Sequence, residues 1–191
     1  MRAARKAMTI SRRTIVQTSL AGGLLAGLAA FALVASWWPV PDRDEQETGW
    51  KRIAWPFPRD AFPPGRAWTR EGTEVYVRPK IGFCGNCETG VVEDSEVDGK
   101  TDIDLFDEKF TPHSDGRRIQ ITDLSGRARL YRIRKDGRER LAQGIAVSHN
   151  CDLIVAVVVG KVDDDAVATA ARRFLETNTV QVWLNAALEG K

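Results

Sequence analysis

The side chains best suited to chemistry are three cysteines and a histidine. Cys84 and Cys87 form a C-x-x-C, and His149 stands just before the pair Asn150 and Cys151. In an oxidising compartment a disulfide is the first reading. Joining Cys151 to Cys84 or Cys87 would close a long loop and stabilise the fold by about 4 kcal/mol, with one cysteine left over. Three thiolates and His149 would instead make a Cys3His tetrahedral zinc set, with C-x-x-C as one edge. The second edge, H-x-C, is tight, but alternate residues of a strand point the same way. Iron is the other metal that thiolates would take, although a Rieske cluster needs a second Cys–His pairing that is absent. A redox dithiol of Cys84 and Cys87 is the third reading, opposed by the acids that follow, which disfavour a thiolate. The expectation is no cofactor, with zinc or iron as the alternative.

A second constellation is acidic. Asp94, Glu96 and Asp98 precede Gly99, with Asp102 and Asp104 beyond. Oxygens at alternate positions before a glycine suit calcium, and the run resembles the opening of an EF-hand loop. Leu105 stands where that family has a bidentate Glu. The calcium candidates are therefore Asp94, Glu96, Asp98 and Asp102, set against a solvated acidic loop spanning Glu93 to Glu108. Six arginines, at 127, 129, 132, 134, 138 and 140, flank Asp136 and Gly137. They read as a solvated sheet face paired with the acids, or as a surface for anionic lipid or an acidic partner. His113 reads as a surface residue. No Ser/His/Asp set, P-loop or G-x-G-x-x-G occurs, so no catalytic residue is marked and an enzyme is not expected.

These residues must be positioned by a chain of 191 residues, 43% hydrophobic and 28% charged, enough for one core. Net charge is +2, which gives no argument for nucleic acid. The charge is uneven: Arg2, Arg5, Lys6, Arg12 and Arg13 precede any acid. Residues 14–40 then carry no charge, and this run is long enough to span a bilayer as a helix. Basic residues before it and Asp42, Asp44, Glu45 and Glu47 after it place the bulk of the chain outside. Trp37 and Trp38 suit the far headgroup layer, and Pro39 and Pro41 end the helix. Retention as a signal anchor is expected over cleavage near Ala30, Phe31 and Ala32; a mitochondrial presequence is a further alternative.

Ser11, Arg12, Arg13, Thr14, Ile15 and Val16 resemble the twin-arginine export signal, with Ile15 where that family prefers Phe. The resemblance covers this segment alone. It implies a bacterial protein exported already folded, with Arg12 and Arg13 as the signal pair.

The domain reading is a basic cytoplasmic tail over 1–13, a transmembrane anchor over 14–40, a Pro- and aromatic-rich linker over 41–66 and an extracytoplasmic domain over 67–191. The linker's Trp50, Trp55, Phe57 and Phe62 argue that it lies across the domain or the membrane surface. Strands are expected at Thr73–Val77, from Ile119 to Ile121, from Arg129 to Arg134, and from Leu141 to Ser148. Leu124, Ser125 and Gly126 read as a turn, and Asp136-Gly137 as a hairpin. Leu153 to Val159 is continuously apolar, which predicts a central strand covered on both faces. Two helices close the chain. Asp163 caps the first, whose stripe is Val167, Ala170, Ala171 and Phe174. Val180, Trp183, Leu184, Ala187 and Leu188 mark the second. The fold class is α+β: an antiparallel sheet with two C-terminal helices on one side, after a transmembrane helix. The function expected is a membrane-anchored accessory or binding protein in the bacterial periplasm. It would act through protein contacts in a membrane complex; a metal-binding or thiol redox protein is the alternative.

Overall fold

A strand that is apolar on both faces after its first residue must be covered twice. Strand β8, Asp152–Val159, is buried along its whole length. Its residues alternate between two cores: Ile154, Ala156 and Val158 on one side, Leu153, Val155, Val157 and Val159 on the other. The computed structural model describes residues 43–82, 92–162 and 165–189. The anchor segment 14–40, Arg12, Arg13, Asp163 and the side chain of Val167 lie outside these residues. Among the described residues no helix is long and apolar enough to cross a membrane.

The elements in chain order are α1 (Arg43–Thr48), β1 (Lys51–Ile53), β2 (Arg66–Arg70), β3 (Thr73–Lys80), α2 (Asp94–Lys100), a 3-10 turn (Ile103–Leu105), β4 (Thr111–Pro112), β5 (Arg117–Ile121), β6 (Leu124–Lys135), β7 (Arg138–His149), β8, α3 (Asp165–Leu175) and α4 (Asn178–Glu189). The eight strands form one sheet, ordered β1-β2-β3-β8-β7-β6-β4, with β5 also paired to β6. Every pairing is antiparallel. The domain is an α+β fold.

The C-terminal helices cover one face. Ala171, Phe174 and Leu175 of α3 and Val180, Leu184 and Leu188 of α4 join the core that includes Val75, Val77, Ile145 and Val147. Phe174 stacks on Trp50 at 4.8 Å and meets Trp68 edge-on at 5.2 Å. Helix α1 docks through Asp44, which accepts a bond from the Trp68 indole at 3.0 Å.

The opposite face is also covered, by the middle of the chain. Val97, Ile103, Phe106 and Phe110 pack there with Trp55 and Phe57 of the proline-rich strip. Phe57, Tyr76 and Phe106 form a mutual cluster with centroids 4.8–5.5 Å apart. The acidic stretch is thus a helix and a 3-10 turn. Glu93 and Glu96 close a reciprocal capping box at the start of α2, and one face of that helix buries Val97.

The turn expected at Asp136-Gly137 is present, both residues at positive φ (53° and 73°). The turn expected at Leu124, Ser125 and Gly126 is not. The chain reverses at Thr122-Asp123, and all three residues belong to β6. Gly126 marks a close approach: a Cβ there would lie 2.5 Å from the Ala146 carbonyl oxygen.

Candidate functional site

The sheet brings the chemically competent residues to three places. The first is the β7–β8 turn. His149 pairs with Asp152 across it, and Asn150 takes φ 55°. Cys151 is exposed at the tip and makes no disulfide among the described residues. His149 Nδ1 is buried and has no hydrogen-bond partner among the described residues. Asp152 Oδ1 accepts a 2.7 Å bond from the Gly82 amide, so the chain leaving β3 begins its next loop beside this turn. Cys84 and Cys87 follow in sequence and lie outside the described residues. Among the described residues no group of three His, Cys, Asp or Glu side chains is placed to hold a metal ion.

The second place is α2 against β6. Asp94 and Asp98 are one helical turn apart, and both reach Arg129, at 3.9 and 2.7 Å. Asp94 also accepts from Arg127 and, at 3.1 Å, from the Gly116 amide. Asp98 accepts from the Tyr131 hydroxyl at 2.5 Å. The Arg127 guanidinium, then the Gly116 amide, hold the Asp94 carboxyl below the usual aspartate range. Burial, then the Asp98 carboxylate, push the Tyr131 phenol up. Glu96 turns instead to the Glu93 amide and Lys100. Asp102, the last of the calcium candidates, leaves this group altogether.

Asp102 joins a buried cluster under the proline-rich strip. Arg78 donates to both its carboxylate oxygens, one bond at 2.8 Å. Lys80 approaches it at 2.5 Å. Arg78 Nη1 also donates to Asp60 at 2.6 Å. Alternation places Glu74, Tyr76, Arg78 and Lys80 on one face of β3, and the strip closes over them. Burial lowers the Arg78 pKa, but its bonds to Asp102 and Asp60 outweigh that and raise it. Two cations and two carboxylates balance, so the cluster clamps strip to sheet.

The third place was not marked by any motif. Gln143, 4% exposed, sits on the helix-side face of β7 among Leu130, Leu141 and Ile145. It lines a cleft of about 340 Å³ with Arg117, Arg172, Asp165 and Thr169. A signal existed in the sequence: Gln143 interrupts an apolar alternation through Leu141, Ile145 and Val147.

The remaining arginines form a projection. Strand β7 pairs with β8 only up to Ala142, and β6 pairs with β4 only at Tyr131 and Arg132. The β6–β7 tip beyond is two strands wide. Arg134 and Arg138 are exposed there and Arg132 at its base, and among the described residues they make no ion pair. His113 is exposed, with its amide bonded to the Leu130 carbonyl at 2.8 Å.

No family model and no curated protein matches the chain.

Proposed function

We propose that the chain is a membrane-anchored extracytoplasmic accessory protein that works by binding another protein through an acidic surface. The observation that supports this reading is the β6–β7 projection. Arg132, Arg134 and Arg138 are exposed on this paired hairpin and make no ion pair among the described residues, with the Asp107 carboxylate held at the Arg134 amide, and such charge steers an oppositely charged partner. The uncharged segment 14–40 and the basic residues before it support anchoring, and Arg12-Arg13 support export in the folded state.

The test uses the full chain in membranes, with a photoreactive side chain at Arg138. A protein adduct of discrete mass, weakened by salt and lost in Arg134→Glu, is the expected result. Adducts to lipid alone, or a protein adduct indifferent to salt and charge reversal, would remove the basis of this reading. Anchoring is tested on the same membranes. The chain should resist alkaline extraction and be cut by protease from the outer side.

A second reading is favoured by the Gly82–Asp152 bond and the unpartnered His149 Nδ1. The turn with His149 and Cys151 lies beside Gly82, two residues before Cys84 in sequence, as a Cys3His site or a thiol redox centre would need. Free-thiol counting and elemental analysis on anaerobically prepared chain separate the readings. About one zinc or iron per chain with no disulfide favours the metal centre. A reversible Cys84–Cys87 disulfide without metal favours the redox centre.

A further inference from the structure

We infer that the cleft between α3 and the β5–β7 face is a binding site for a small organic carboxylate with an apolar body. Four observations carry it, and none depends on the partner proposed for the hairpin. Gln143 is the polar exception on a face that is otherwise apolar, and no described residue hydrogen-bonds its carboxamide. What little exposure it keeps opens onto the cleft that it lines. A polar group in that position is retained at a cost to the core unless something from outside pairs with it. Around it stand Arg117 of β5, Arg172 of α3 and the Thr169 hydroxyl, with Asp165 as the one carboxylate among the described residues. Neither arginine makes an ion pair among the described residues. Among the described residues two guanidinium groups stand against one carboxylate, and guanidinium geometry suits a carboxylate.

The remaining lining is Ile119, Ala128, Ile145 and Ala168. That wall would take the apolar body of the ligand, while Gln143 and Thr169 hydrogen-bond its polar end. A larger recess of about 690 Å³ lies on the other side of Asp165 and Thr169. Its floor is the Trp50–Phe174 stack, and no buried polar group without a partner faces it.

The probe is radiolabelled isocaproate, measured by equilibrium dialysis on the full chain in detergent, with isocaproamide as the uncharged competitor. Saturable binding near one equivalent is expected, with no competition by the amide. The double variant Arg117→Gln, Arg172→Gln should weaken it about tenfold or more. Gln143→Leu should weaken it comparably while leaving Tm without probe unchanged or higher, because the carboxamide has no internal partner to lose. Three results would overturn the site: no saturable binding up to about 10 mM, equal binding by wild type and the arginine variants, or a lowered Tm in Gln143→Leu.

Discussion

Single residues in this protein are mostly legible through the charge they face. Arg78 is the clearest case. Its guanidinium is nearly fully buried, and it serves Asp102 and Asp60 together. Replacing it with Met removes one cation and leaves Asp102 with Lys80 alone, while Asp60 loses its partner. Breaking one side of a buried pair costs about 3 kcal/mol or more, so Arg78→Met should lower the urea midpoint correspondingly. Asp94 gives a pH prediction. Its carboxyl is held below the ordinary value, so its contribution is fully present above about pH 4. That contribution is lost as pH falls from there through the lower folded value, because the unfolded chain takes up the proton first. Asp94→Asn should be less stable at neutral pH and show a flatter stability profile between about pH 4 and pH 2. Urea melts at several pH values check both statements.

At the scale of elements, Phe174 on the helix side and Gly65 in the strip hold α3 and Trp55 in place. Phe174 ties α3 to Trp50 and Trp68 and is 2% exposed. Phe174→Ala leaves a cavity between helix and sheet and should cost about 3–5 kcal/mol. A loss of less than about 1 kcal/mol would mean that α3 is not held by this contact. Gly65 lies under the Trp55 ring, and an added Cβ would sit 2.3 Å from a ring carbon. Gly65→Ala must displace Trp55 from Tyr76 and Phe57, which near-ultraviolet circular dichroism would register as lost aromatic ellipticity. The acidic stretch shows why elements can be misread. Its carboxylates resemble a solvated loop until the cations of β6 and β3 are placed beside them. Neutralised by Arg127 and Arg129, and capped by Glu93 and Glu96, the same residues form a helix.

For the whole molecule, two faces of one sheet set a gradient of protection. Strand β8 lies between β3 and β7 and is buried on both sides, whereas the tip of the β6–β7 hairpin pairs with no third strand and is held by side chains, Lys135 to Glu74 and the Arg134 amide to Asp107. Amides of Val155 to Val158 should exchange slowest, at the rate of global unfolding, and those of Asp136 to Arg138 fastest. Hydrogen exchange read by mass spectrometry checks this, and fast exchange in β8 would deny it the central role. The tip is also where the charge for a partner is displayed, so low local protection and the proposed contact coincide.

Local chemistry decides a good deal of this protein from sequence. An uninterrupted apolar run needs two covered faces, so Leu153 to Val159 announces a central strand. Asp136-Gly137 announces its hairpin because both residues tolerate positive φ, and the apolar spacing of Val180, Leu184 and Leu188 announces α4. What only the tertiary structure decided is non-local. Arg66–Arg70 is a strand because Ala67 and Trp68 are packed from opposite sides, which its charged ends conceal. Gly126 is a contact and not a turn because Ala146 lies against it. The four acids read as one calcium set divide between Arg127 and Arg129, Lys100, and Arg78 with Lys80. Gln143 becomes a candidate site once α3 closes over it, because a side chain's partners are set by residues distant in sequence.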